Sequence, residues 1–205
     1  MPDMKRALFA LFLFAATTAS ADLVDDVVKA YGGAEAWNKV KSFRQSGTVS
    51  SPMRPAPGAV TRLWARPDTL TFEVVYPTGK ETRIVEGDHG TQNGKEASGM
   101  GLAAMRLQAA RLAIPRLLLD HRAAVKAGDH VLEVTLAPGL TVTLEVDAKT
   151  NRVMRSVGKG EGIEFATSYA DWRSVDGLHF PFSEENFANG TKTAVTTLSK
   201  IEINP

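Results

Sequence analysis

The chain has 205 residues, with 24 Lys and Arg against 23 Asp and Glu, four His and no Cys. That length is enough for one sizeable core, and the absence of Cys excludes disulfides, thiolate metal sites, a Cys nucleophile and a lipid attached through an amino-terminal cysteine. A formal net charge of +1 argues against electrostatic capture of nucleic acid or of an anionic membrane surface.

The first residues read as an export signal. Lys5 and Arg6 precede the apolar run Ala7 to Ala16, and Ala19-Ser20-Ala21 supplies the small residues a signal peptidase accepts. Cleavage before Asp22 is expected, which makes residues 1–21 a signal peptide and 22–205 a single exported domain without a stable membrane anchor. Loss of Lys5, Arg6 and Asp3 leaves the mature chain close to charge balance.

Val24, Val27, Val28 and Tyr31 share one side of a short helix, which Gly32-Gly33 should end because glycine accepts the left-handed conformation of a C-cap. A second short helix, from Ala34 to about Val40, presents Ala36, Trp37 and Val40. Both are amphipathic and are expected to close one side of a sheet.

From Phe43 the pattern changes to alternation. Phe43 to Ser51, Ala59 to Arg66, Thr69 to Tyr76 and Glu81 to Glu86 read as strands between Pro- and Gly-rich turns. In the third of these, Leu70, Phe72, Val74 and Tyr76 lie on one face.

Gly99 to Arg122 is the one long helical pattern, and it is apolar nearly all round. Ala103, Leu107, Ala110, Ile114 and Leu118 fall on one face and Leu102, Met105, Ala109, Leu112 and Leu119 on the opposite one. Such a helix must be covered, either as a core element or as a plug or lid over an apolar cavity. Pro115 lacks an N–H and disfavours helical dihedrals at Ile114, so a kink or a split is expected there.

Strands resume at His130 to Leu136, Thr141 to Val146, Arg152 to Val157, Ile163 to Trp172, Phe180 to Phe187 and Thr193 to Ile203, joined by short turns. Short turns mean antiparallel neighbours. About ten such strands with helices only at the start and middle predict a mainly β fold, an open antiparallel half barrel with N-terminal helices and a central helical plug or lid.

No catalytic, metal or cofactor site is legible. His89, His121, His130 and His179 are scattered without ligand spacing. Gly158-Lys159-Gly160-Glu161-Gly162 joins strand to strand and lacks the helix that a phosphate loop opens. Glu184 and Glu185 point to opposite faces of one strand, which does not suit a cooperating carboxylate pair.

Leu63-Trp64-Ala65-Arg66-Pro67-Asp68, Leu70-Thr71-Phe72-Glu73, the Tyr76-Pro77 corner and Ile84-Val85 before Gly87 together resemble the strand-Arg-Pro-strand region of the periplasmic lipoprotein carrier LolA and its LolA/LolB-like relatives. The ending from Tyr169 to Ile203, with Val175-Asp176-Gly177 and Phe180-Pro181-Phe182, is similar to the same superfamily. His89-Gly90-Thr91-Gln92-Asn93 lacks the aromatic residue that commonly follows the Gly87 turn, which marks a divergent member.

The resemblance implies a non-catalytic carrier in the periplasm that takes a lipid or a lipoprotein acyl chain into a concave apolar cavity. Leu63, Trp64, Leu70, Phe72, Val74, Leu107, Ile114 and Leu118 would line that cavity, and Arg66 would latch the helical lid. It implies a monomer without cofactor or metal, partnered by acyl chains and possible envelope proteins and not by nucleic acid. The alternative use of the same half barrel is a protein-interaction or envelope-stress sensing module without lipid transfer.

Overall fold

The computed structural model describes residues 15–67 and 69–205, with side chains from residue 23 onward. Most of the expected signal segment, including Lys5 and Arg6, lies outside the described residues. The first helix, α1 (Ala15–Ala30), runs through the expected cleavage point. It ends at the paired glycines, where Gly32 and Gly33 both take positive φ and Gly33 N–H donates to the Val28 carbonyl. α2 (Ala34–Lys39) follows and buries Trp37.

Among the described residues the strands form one 13-stranded antiparallel sheet that stays open. On the first half of the chain these are β1 (Ser42–Ser50), β2 (Gly58–Ala65), β3 (Thr69–Tyr76), β4 (Gly79–Glu86), β5 (His89–Gln92) and β6 (Lys95–Glu96). After two helices, α3 (Gly99–Leu112) and α4 (Ile114–Asp120), come β7 (Val125–Ala127), β8 (Val131–Ala137), β9 (Leu140–Val146), β10 (Val153–Gly160), β11 (Ile163–Val175), β12 (Leu178–Ala188) and β13 (Thr191–Ile203). The expectation of about ten strands was short by β5, β6 and β7. These are pieces of two to four residues at the two ends of the sheet, too short to show an alternation. His130, read as the start of a strand, sits at positive φ in the preceding turn.

Strands pair with their sequence neighbours everywhere except at β1 and β13. The chain therefore starts in the middle of the sheet, meanders to the β6 edge, crosses the sheet through α3 and α4, re-enters at the β7 edge, and meanders back to the middle. The crossing explains why the apolar helix had to be covered. α3 contacts β4 and β5 on one side and β9, β10 and β11 on the other, while α4 packs on α1 and α2.

The helix breaks at Ala113, whose ψ of 61 departs from helical geometry, and Pro115 lies in the first turn of α4, where a missing N–H costs nothing. Register shifts at Ser46/Gly47, Thr135/Ala137, Val153/Arg155 and Asn186/Phe187 bend the strands around the helices.

The glycine-rich stretch serves this packing. Glu161 and Gly162, both at positive φ, make the β10–β11 turn, and a Cβ on Gly158 would lie 2.9 Å from Leu107 Cδ2. Glycine there lets α3 approach the sheet backbone.

Candidate functional site

Two apolar clusters lie under the helices. The larger joins α1, α2 and α4 to β8, β9 and β12 through residues such as Val27, Trp37, Leu118, Leu132, Leu144 and Phe180. The smaller joins Val49, Val60, Leu70, Phe72, Val74 and Val85 to Met105 and Ala109 of α3. Leu112 touches both.

Between α3 and the concave face of the sheet is a cavity of about 390 Å³. Val49, Phe72, Val74, Met105, Leu112 and Ala194 form its apolar walls. Period-two alternation aims these side chains inward: Val60, Arg62 and Trp64 in β2 and Leu70, Phe72 and Val74 in β3 are buried while their neighbours are not.

The same alternation brings charge inside. Arg62 stands across from Gln45 of β1, and Glu184 of β12 stands across from Thr196 of β13. Their side chains meet over the two intervening strands, with Arg62 Nη1 donating to Glu184 Oε2 at 2.7 Å and Nη2 to Oε1 at 3.0 Å. The pair is only 4% and 6% exposed. Arg62 Nε and Gln45 Oε1 are enclosed without a hydrogen-bond partner among the described residues.

Arg111 reaches from α3 to the opposite wall. Its Nη1 donates to the Phe165 carbonyl at 3.0 Å and to Thr167 Oγ1 at 3.3 Å, and its Nε donates to the Leu107 carbonyl at 3.0 Å. Thr167 Oγ1 in turn donates to Asn186 Oδ1 at 2.9 Å. Arg83 of β4 lies over the Phe72 ring at 4.9 Å and donates to Gln108 Oε1 at 3.4 Å. Burial lowers the pKa of both Arg83 and Arg111. Tyr169, hydrogen bonded to Ser156 at 2.7 Å, is pushed up to about 12 by burial above all.

Of the residues expected to line a cavity, Phe72 and Val74 line this one. Trp64 lines a different hollow of about 220 Å³ with Arg106, Ala109, Leu117 and Asp120. Ile114 borders a hollow of about 20 Å³ that shares Arg111, Leu112, Tyr169 and Glu184 with the main cavity. Leu70, Leu107 and Leu118 are fully buried in the clusters and do not line the main cavity. Leu63 falls between the inward Arg62 and Trp64 and is half-buried on the other face. Arg66 lies in the turn after β2, with Nη2 4.0 Å from Asp120 Oδ1 at the end of α4.

Sequence reasoning missed Arg62, Glu184 and Arg111. The signal was present in Val60-x-Arg62-x-Trp64 and Phe180-x-Phe182-x-Glu184, where a charge occupies an inward position of an otherwise apolar alternation. The histidines remain apart, and among the described residues no group of three His, Cys, Asp or Glu side chains converges.

No family model matches the chain, and no curated protein matches it in sequence. Among solved structures, a LolA superfamily protein from Nitrosomonas europaea superposes with a TM-score of 0.57 at 11% identity, covering 91% of this chain and 94% of the other. The chain has the LolA-like fold. A putative outer membrane lipoprotein-sorting protein domain from Vibrio parahaemolyticus matches at TM-score 0.53 and 7% identity, covering 89% and 91% of the two chains. A DUF1329 family protein from Desulfovibrio piger matches at 0.51 and 9%, covering 92% and 93%. The LolA-like fold accounts for the open sheet and the helices on its concave face. Among the described residues, no helix is long and apolar enough to cross a membrane.

Proposed function

We propose that this chain is an exported, non-catalytic carrier that shelters the acyl chain of a lipid or lipoprotein between α3 and the concave face of the sheet. The observation that carries this reading is the cavity itself. At about 390 Å³ it falls within the size range of small-molecule sites, roughly 300–1,000 Å³. Each buried methylene contributes about 0.8 kcal/mol, so a dozen supply roughly 10 kcal/mol before ordering costs, with little polar recognition.

The geometry also supports a lid. Ile114, Leu117 and Leu118 anchor α4 in the large core, and Arg116 Nη1 donates to Asn38 Oδ1 at 2.7 Å. α3 is held less deeply: Leu102, Ala104, Ala110 and Leu112 are half-buried and Gly99, Met100 and Gly101 exposed. Opening is therefore assigned to α3, hinged at Ala113, and Arg66 acts on the anchored side of that hinge, steadying α4 through Asp120.

The test is mass spectrometry of an organic extract from protein purified out of its native envelope. A carrier yields acyl lipid that detergent removes. Protein that purifies empty and crosslinks to an envelope protein overturns the carrier in favour of an interaction module.

A further inference from the structure

Four arginines and two glutamates line the main cavity. The glutamates are already paired, Glu81 with Arg54 and Glu184 with Arg62. Both Glu184 oxygens accept from Arg62, so its hydrogen bonds are spent there, although its charge is still felt by Arg111. No carboxylate among the described residues pairs with Arg83 or Arg111. The cavity lining thus carries an excess of two positive charges in a chain whose charges otherwise nearly balance.

Holding half-buried cations without a paired carboxylate is costly, and pinning α3 to β11 needs only a neutral donor in the place of Arg111. Arg83 makes one long hydrogen bond to an amide, and Arg111 uses neutral acceptors only. The planar guanidinium is also the group best matched to carboxylate and phosphate oxygens. Arg83 lies directly on the ring of Phe72, which forms part of the apolar wall. Charge and acyl surface are therefore offered side by side.

We infer that the cavity takes an amphiphile with an anionic head group, a carboxylate or a phosphate, which Arg83 and Arg111 bind while its chain lies against Phe72, Val74, Met105 and Leu112. This rests on the carrier reading and narrows its ligand class. Burial disfavours the charged form of both arginines, and a bound anion offsets that cost.

The test uses delipidated full chain and displacement of the neutral fluorophore N-phenyl-1-naphthylamine by laurate, dodecyl phosphate, dodecanol and inorganic phosphate. Laurate and dodecyl phosphate are expected to bind at least roughly tenfold more tightly than dodecanol, in keeping with one or more charge-assisted hydrogen bonds. Arg83→Gln should abolish most of that preference while leaving dodecanol binding unchanged, and Arg83→Lys should restore part of it. Equal binding of all three amphiphiles overturns the head-group site and leaves the carrier intact. Binding of none overturns both. Inorganic phosphate that competes as well as dodecyl phosphate replaces the amphiphile with a free anion. A preference retained in both Arg83→Gln and Arg111→Gln removes these residues from the site.

Discussion

Arg62 and Glu184 lie on strands separated by two others, yet their side chains meet in a bidentate pair that is almost wholly enclosed. Removing one partner leaves a buried charge unpaired, so Glu184→Ala is expected to destabilise the fold by about 3–5 kcal/mol. Replacing both, as in Arg62→Met with Glu184→Leu, should recover most of that loss in chemical denaturation. Arg66 is the contrasting residue. Its contact with Asp120 is long and both side chains are over a third exposed, so Arg66→Leu should change stability by less than about 1 kcal/mol. By loosening α4, against which the α3 hinge works, the same substitution is expected to shorten ligand retention, measured as the dissociation rate of a fluorescent fatty acid.

Tyr169 sets a pH limit at the same scale. Its phenol is held from the ordinary 10.0 up to about 12 by burial. The folded state keeps this proton after the unfolded state has lost it, so the contribution is complete below 10.0 and falls away as pH rises towards about 12. Tyr169→Phe should flatten that alkaline slope in denaturation curves, since phenylalanine has no proton to lose.

At the scale of elements, the amphipathic N-terminal helices, the long strands and the split helix were all legible, because each follows a period that burial enforces. β3 shows this directly: Leu70, Phe72 and Val74 point inward as their spacing requires. The short strands β5, β6 and β7 were not legible, since backbone pairing with a longer neighbour holds them in place and their side chains carry no pattern. The site was half legible. Phe72 and Val74 could be read from alternation, but whether Leu107 or Leu118 faced core or cavity depended on the helix's rotation against the sheet, which an all-round apolar sequence does not encode. Leu118 is fully buried in the larger cluster, on the helix that packs against α1 and α2. Leu118→Gln is therefore expected to cost several kcal/mol and to lower the melting temperature strongly, roughly 2–5 kcal/mol for an unsatisfied amide in a core. Met105 touches the cavity from α3 while packing in the smaller cluster, so Met105→Gln should reduce fatty-acid uptake as well as stability.

The docking of α3 depends on the small residues beneath it. A methyl group on Gly158 meets Leu107, and overpacking of this kind costs typically about 1–3 kcal/mol. Gly158→Ala is expected to lift α3, seen as faster amide exchange in residues 99–112 than in α4.

For the whole molecule, the path of the chain makes cavity and lid one consequence of topology. The chain leaves the sheet at the β6 edge and returns at the β7 edge, so the segment between must cross the concave face. α4 fills the larger core on that crossing, and α3 spans the hollow between the two halves of the sheet. The central claim is that this hollow encloses an acyl chain under α3. Photo-crosslinking with a diazirine-bearing fatty acid, followed by peptide mapping, tests it directly. The account predicts adducts on the peptides carrying Phe72, Val74, Met105 and Leu112, suppressed by excess unlabelled fatty acid. Adducts confined to the convex face of the sheet, or none that competitor suppresses, would contradict it.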